Sequence, residues 1–203
     1  MKTLQGQTCL VTGATAGIGY EIVWYLASLN PTTLILVSRT LSNLQALATE
    51  LKKSYPNVIV DVFAEDLSKS GNAVFLYDRI QAKGYTVTVL VPCAGVAKAG
   101  SFNEHTVEDY DRMVELNCKS TVTLARLCIP DMLAAANGAI LFIASNSGYA
   151  PVPLFSVYAA SKAFVISCAE ALHEEYRQKG ITVVCATPGG TATENFGKEA
   201  GMQ

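Results

Sequence analysis

No apolar run in the chain approaches the roughly 18 residues that cross a bilayer, so no membrane span is expected. Charge is scarce and balanced. Only 16% of the 203 residues are charged, fifteen basic against seventeen acidic, for a net charge of −2. No Lys/Arg block occurs, and a phosphate-backbone binder needs a concentrated basic face, so nucleic acid is not an expected partner. Two histidines and six scattered cysteines form neither a C-x-x-C pair nor a cluster. That pattern argues against a disulfide framework and a zinc site, and no metal is expected. Residues 1–7 are polar, and the first apolar run ends at Gly13 without a small-residue cleavage pattern. The expectation is a soluble, cytoplasmic chain with reduced thiols.

What is present is apolar: half the residues, enough for one well-filled core. Short β-branched runs at 8–12, 33–38, 58–63, 86–91, 139–144 and 182–186 are nearly continuous in apolar character, as strands buried on both faces should be. Between them lie helical stretches at 18–29, 41–54, 69–83, 106–137 (two helices, broken near Asn117) and 157–179. Strand-then-helix repetition predicts a Rossmann-like doubly wound α/β fold, a parallel sheet of about six strands with helices on both faces. Residues 1–193 read as a single dinucleotide-binding and catalytic domain, and 194–203 as a short polar tail. Ligands in such sheets bind beyond the carboxyl ends of the strands, so the residues that follow each strand carry the information.

After the first strand, Gly13-Ala14-Thr15-Ala16-Gly17-Ile18-Gly19 opens a helix. Gly13 permits a tight turn, Gly17 lets backbone approach a pyrophosphate, and Gly19 lets the helix lie close on the strand. Thr15, Ala16 and Ile18 complete this turn, whose free N–H groups favour phosphate. No Gly-Lys-Ser/Thr follows, which argues against a mononucleotide P-loop. The second strand ends in Ser38-Arg39, where an NAD site generally has an acid for the ribose hydroxyls. A guanidinium there suits a 2′-phosphate, so NADP (as NADPH) is favoured and NAD is less favoured. The missing acid also counts against a class I methyltransferase. Asp66 and Leu67, after the third strand, lie where an adenine would rest; Asp66 or Ser68 could equally cap the next helix.

The fifth strand runs into Ser145, and thirteen residues later Tyr158 begins Tyr158-x-x-x-Lys162. At i, i+4 the two side chains share one helical face. An ammonium beside a phenol favours the phenolate and is expected to lower its pKa, tuning it for proton transfer in carbonyl/alcohol interconversion. Ser145 is placed to hydrogen-bond the substrate oxygen. His105 and His173 lack partner motifs and read as solvated.

Taken in register, the glycine turn, Asp66, Ala94-Gly95, Asn117, Ser145, Tyr158-x-x-x-Lys162 and Pro188-Gly189 resemble the short-chain dehydrogenase/reductase family from the first strand to about Thr193. The resemblance implies an oxidoreductase moving a hydride between NADP(H) and a carbonyl or secondary alcohol. It casts Tyr158 as acid/base, Ser145 as the carbonyl-orienting residue, and Lys162 as the ribose ligand that lowers the tyrosine pKa. Asn117 resembles the helix-breaking asparagine of the proton relay. Pro188, Gly189, Thr191 and Thr193 resemble the segment that grips the nicotinamide end, and Ala94 and Gly95 the small wall beside the cofactor. The partner is then a small-molecule substrate, with a homo-oligomer left open.

Two departures stand out. Pro92-Cys93 replaces the family's usual asparagine pair, which predicts a locally altered cofactor wall. The chain ends soon after Thr193, where the family usually continues with a further helix and strand, so the substrate lid is expected to be truncated. An NADP-binding module or fragment without turnover is the alternative that this length keeps open. The apolar, proline-stiffened loop at 149–155 is expected to border the pocket and to favour a substrate with an apolar portion.

Overall fold

A computed structural model describes residues 4–190. Thr191, Thr193 and the tail at 194–203 lie outside the described residues. The strands are β1 (Thr8–Thr12), β2 (Thr33–Ser38), β3 (Ile59–Ala64), β4 (Val89–Pro92), β5 (Gly138–Ile143) and β6 (Ile181–Ala186). They pair in parallel in the order β3-β2-β1-β4-β5-β6. The helices are α1 (Gly17–Ser28), α2 (Leu41–Ser54), α3 (Asn72–Ala82), α4 (Val107–Val114), α5 (Thr121–Ala134) and α6 (Ser156–Tyr176). This is the expected doubly wound architecture.

The period-2 geometry of the strands divides the apolar residues between two cores. Leu10, Ile35, Val37 and Leu90 face one side, against Leu76 and Ile80 of α3, Leu124 and Cys128 of α5 and Val165 of α6. Cys9, Val11, Leu34, Leu36 and Val91 face the other, against Val23 of α1 and Leu44, Leu47 and Leu51 of α2. Each such aliphatic side chain, once fully buried, contributes about 1.5–3 kcal/mol. Strand order reverses between β1 and β4, and a crevice opens beyond their carboxyl ends.

The boundaries differ from the sequence reading for local reasons. β4 starts at Val89 rather than residue 86; Thr88, just before it, meets β1 through its backbone N–H, which donates to the Thr8 carbonyl at 3.1 Å, and through its hydroxyl, which accepts from the Thr8 N–H at 3.1 Å. Helix α3 starts at Asn72 rather than residue 69. The Asp66 carboxylate accepts from the Ser68 N–H at 3.1 Å and its hydroxyl at 2.6 Å, holding this stretch in a turn. Asp66 therefore closes a turn and caps no helix. The helix expected to break near Asn117 does not break: residues Glu115–Ser120 form a widened π-helical turn that joins α4 to α5. Helix α4 begins with a reciprocal cap, the Asp109 N–H to the Thr106 hydroxyl at 3.2 Å and the Thr106 N–H to the Asp109 carboxylate at 3.4 Å.

Candidate active site

The crevice at the strand ends is a cleft of about 760 Å³. Its phosphate end is the turn between β1 and α1. Gly13 has φ +67°, and a Cβ there would stand 3.0 Å from the Ala94 backbone. A Cβ on Gly19 would collide with the Gly13 carbonyl oxygen. Both glycines are therefore required by close approach and conformation, with Gly17 at φ +53° between them. Helix α1 starts after Ala16 with no side-chain cap and no acid in its first turn. Thr15, Ala16, Gly17 and Ile18 line the cleft there, so its first N–H groups face the space an anion would take.

Ser38 and Arg39 line the same cleft, with Asp66 and Leu67 beyond them. The Ser38 hydroxyl oxygen is buried and has no hydrogen-bond partner among the described residues, a state that costs free energy unless a ligand meets it. Burial tends to raise the Asp66 carboxyl, but the Ser68 bonds and the nearby Arg112 and Arg39 charges hold it below the ordinary aspartate value.

At the other end, Ser145, Tyr158 and Lys162 are all buried and come together. Ser145 follows β5, and its Oγ accepts from the Ser147 N–H at 3.2 Å and hydrogen-bonds the Tyr158 side chain. Tyr158 and Lys162 share one face of α6, with the ammonium 5.7 Å from the phenol ring centroid. The Lys162 ammonium donates to the Ile143 carbonyl at 3.0 Å. Gly148 lets the turn after β5 lie against α6: a Cβ there would stand 2.8 Å from the Lys162 carbonyl carbon and 2.9 Å from the Ala163 nitrogen.

One expectation is reversed. In the protein alone the Tyr158 pKa is raised rather than lowered. Burial pushes the phenol above the ordinary tyrosine value, and only the Ser145 hydrogen bond opposes it. Burial also pulls Lys162 below the ordinary lysine value, opposed by its interactions with Cys93, Cys118 and Cys185. Loss of water is the largest cause for both side chains.

Asn117 is brought near the trio but does not line the cleft. Its Oδ1 accepts from the Val96 N–H at 2.9 Å, and its Nδ2 donates to the Val96 carbonyl at 2.9 Å and to Ser161 Oγ at 3.0 Å. Its side chain is thus a clamp between the loop after β4 and helix α6, and the relay role is not visible in it. Ala94 and Gly95 line the cleft. In place of the asparagine pair, the Thr12 hydroxyl accepts from the Ala94 N–H at 3.0 Å and ties β1 to this wall. Cys93 also lines the cleft, its thiol pushed up to about 11 by burial. Pro188 and Gly189 complete the far side.

Of the loop at 149–155, only Phe155 lines the cleft, its ring 4.6 Å from that of Tyr158. Tyr149 and Leu154 are exposed. The two histidines are not merely solvated: His105 Nε2 lies 3.1 Å from the Ala99 carbonyl and His173 Nδ1 2.8 Å from that of Val183. Sequence reasoning missed Asn43, Leu116 and Asn146 as cleft residues. Asn43 carried a signal, four residues after Arg39 in the first turn of α2, and Asn146 directly follows Ser145. Among the described residues, no group of three or more His, Cys, Asp or Glu is placed to hold a metal ion, and no helix is long and apolar enough to cross a membrane.

An elongated cleft with a glycine cradle at one end, an unmet buried hydroxyl along its wall and a buried lysine at its floor fits a phosphorylated dinucleotide. Such a site on such a sheet defines a dinucleotide-dependent oxidoreductase class. The chain belongs to the short chain dehydrogenase family, whose sequence model matches residues 7–202. It is 33% identical over 199 residues to the very-long-chain 3-oxoacyl-CoA reductase of Homo sapiens, an alignment covering 93% of this chain and 61% of that protein. It is 36% identical over 197 residues to the Anas platyrhynchos protein of the same name, covering 93% and 61%. The chain thus spans about three fifths of the length of these curated relatives. Among solved structures, it resembles a short-chain dehydrogenase from Sphingobium yanoikuyae in complex with NADPH. The TM-score is 0.90 at 32% identity, covering 97% of this chain and 76% of that one. A bulky-bulky ketone specific alcohol dehydrogenase from Comamonas testosteroni gives a TM-score of 0.85 at 29% identity, covering 92% and 74%.

Proposed function

We propose that this chain is an NADPH-dependent reductase of ketones that carry an apolar portion, with 3-oxoacyl thioesters as the leading substrates. The observation that carries the reading is the buried Ser145–Tyr158–Lys162 group at the floor of the dinucleotide-shaped cleft. The names of the curated relatives support the 3-oxoacyl class, and the NADPH complex of the Sphingobium protein supports the cofactor. The six unpaired thiols are consistent with a reducing, cytoplasmic setting.

NADPH, when bound, supplies the hydride. Gly13, Thr15, Ala16, Gly17, Ile18 and Gly19 would hold its pyrophosphate, Ser38 and Arg39 its 2′-phosphate, and Asp66 and Leu67 its adenine. Ala94, Gly95, Pro188 and Gly189 would flank the rest, with Thr191 and Thr193 assigned to that segment on sequence alone. Lys162 spends one of its donors on the Ile143 carbonyl and has others for the ribose hydroxyls. Ser145 and Tyr158 then share the substrate carbonyl oxygen between them. Burial keeps the phenol protonated near neutral pH, so Tyr158 is poised to donate its proton to that oxygen as the alcohol forms.

The test is oxidation of NADPH, followed by absorbance, with 3-oxoacyl thioesters and bulky ketones. Tyr158→Phe should lower kcat about 10²- to 10⁴-fold while NADPH affinity, by fluorescence titration, stays within about twofold of wild type. NADPH binding without turnover of any substrate would replace the enzyme with a binding module.

A further inference from the structure

Beside Ser145 the cleft carries a polar group that the reduction of a single carbonyl does not use, the carboxamide of Asn146. Its backbone N–H donates to the Pro188 carbonyl at 3.1 Å, which fixes the residue between the end of β5 and the segment at 188–190. Its Oδ1 lies 3.4 Å from Ser145 Oγ. A Cβ on Gly189 would stand 3.5 Å from Asn146 Nδ2, so this amide nitrogen lies beside the cleft-lining segment at 188–190. Among the described residues, no hydrogen bond engages Nδ2. Asn146 is exposed at the cleft wall, one residue from the carbonyl-orienting serine.

We infer that Asn146 is the specificity-determining residue for a 1,3-dicarbonyl substrate: its amide binds the second oxygen, the thioester carbonyl, while Ser145 and Tyr158 hold the first. The inference rests on the proposed reductase function and narrows its substrate. In the folded conformer of a 1,3-dicarbonyl, the two oxygens lie roughly a hydrogen-bond length apart. The Ser145 hydroxyl and the Asn146 carboxamide are neighbours on the cleft wall, the hydroxyl donating to Oδ1 at 3.4 Å, so one substrate can reach both side chains. When Ser145 turns its proton to the reacting carbonyl, it releases Oδ1, and Nδ2 is the donor that remains to meet an acceptor. A simple ketone has no atom at that place and leaves the amide to water. A site that hydrogen-bonds a substrate oxygen discriminates against the analogue lacking it.

The experiment compares a 3-oxoacyl N-acetylcysteamine thioester with the ketone in which a methylene replaces the thioester carbonyl. For wild type, Asn146→Ala and Asn146→Asp, the quantity read is the ratio of the two kcat/KM values. Both substitutions should lower the wild-type preference for the dicarbonyl about tenfold, the effect of one hydrogen bond. Asn146→Asp keeps an acceptor beside Ser145 and removes the donor, so rescue of the ratio by Asp would overturn the inference in favour of a role in positioning Ser145. An unchanged ratio in both variants, or wild type preferring the simple ketone, would also overturn it. Calorimetric titration of both ligands into the NADP-loaded full chain, wild type and Asn146→Ala, reads the same preference as binding. Absence of turnover in every protein would therefore sink the reductase reading while the binding ratio still decides the role of Asn146.

Discussion

Replacing Gly148 with alanine puts a methyl group into the contact between the turn after β5 and helix α6. Its Cβ would meet Ile166 Cδ1 at 2.7 Å, the Lys162 carbonyl carbon at 2.8 Å and the Ala163 nitrogen at 2.9 Å. The isoleucine methyl can swing aside, but the two backbone atoms belong to a continuous helix and cannot. Ordinary contact then requires the turn and the helix to separate by about half an ångström. Ser145 rides on that turn through the Ser147 N–H, whereas Tyr158 and Lys162 ride on α6. The substitution therefore pulls apart the groups that would share one oxygen in the proposed reduction. A misplacement of this order corresponds to a roughly tenfold to hundredfold loss of kcat, and overpacking costs about 1–3 kcal/mol, or roughly 5 °C in Tm for a chain of this size. The phosphate end of the cleft is untouched, so NADPH affinity should stay within about twofold. Steady-state kinetics with a reducible ketone, scanning calorimetry and fluorescence titration read the three quantities. Wild-type kcat with an unchanged Tm would refute the reasoning, because it would mean that the turn and helix are not in rigid contact.

Two further outcomes follow from other parts of the molecule. Arg39→Ala should weaken NADPH about 10- to 100-fold, the worth of a charge-assisted phosphate contact, and leave NADH nearly unaffected; equal losses for both cofactors in parallel titrations would place the 2′-phosphate elsewhere. Burial tends to raise the Asp61 carboxyl. That tendency is outweighed by hydrogen bonds from Lys83, Val62 and Tyr85, which together hold its pKa below the ordinary aspartate value. A carboxyl depressed in the folded state stabilises fully above its unfolded pKa and loses that contribution as pH falls through the folded one. Asp61→Asn should thus cost about 1 kcal/mol at pH 7, a modest figure because the Lys83 partner is half exposed. The difference in urea midpoint should shrink towards zero in strong acid, and an equal difference at both pH values would contradict the assignment.

The sheet was legible because its central strands β1, β2 and β4 are buried on both faces and so read as unbroken apolar runs, while the partly exposed edge strands β3 and β6 still carry enough β-branched residues to show. The glycine end of the cleft was legible for a related reason: Gly13 and Gly19 answer a close backbone approach that a side chain would block, and their place between the first strand and the first helix marks it. What the sequence could not show depends on distant partners. Asn117 reads locally as a helix breaker, yet its amide is satisfied by Val96 and Ser161, and these tertiary bonds hold a widened turn in its place. The i, i+4 spacing correctly placed Lys162 beside Tyr158 but said nothing of how completely both leave water, and that burial sets the direction of their titration. Asn146 was hidden because its role depends on Pro188 and Gly189, some forty residues away.

The Asn117 clamp divides the cleft into a part that is stitched and a part that is free to vary. One carboxamide sews the loop after β4 to the helix bearing the phenol and the lysine. The rim at 149–155 meets the opposite loop through a backbone bond, from the Gly100 N–H to the Leu154 carbonyl at 2.8 Å, and through Phe155, which packs in one apolar cluster with Val96 and Ala97. Insertions or exchanges along the part of that rim before Phe155 can reshape the doorway while the floor keeps its dimensions. Substrate range and chemical competence are, in this architecture, separately adjustable.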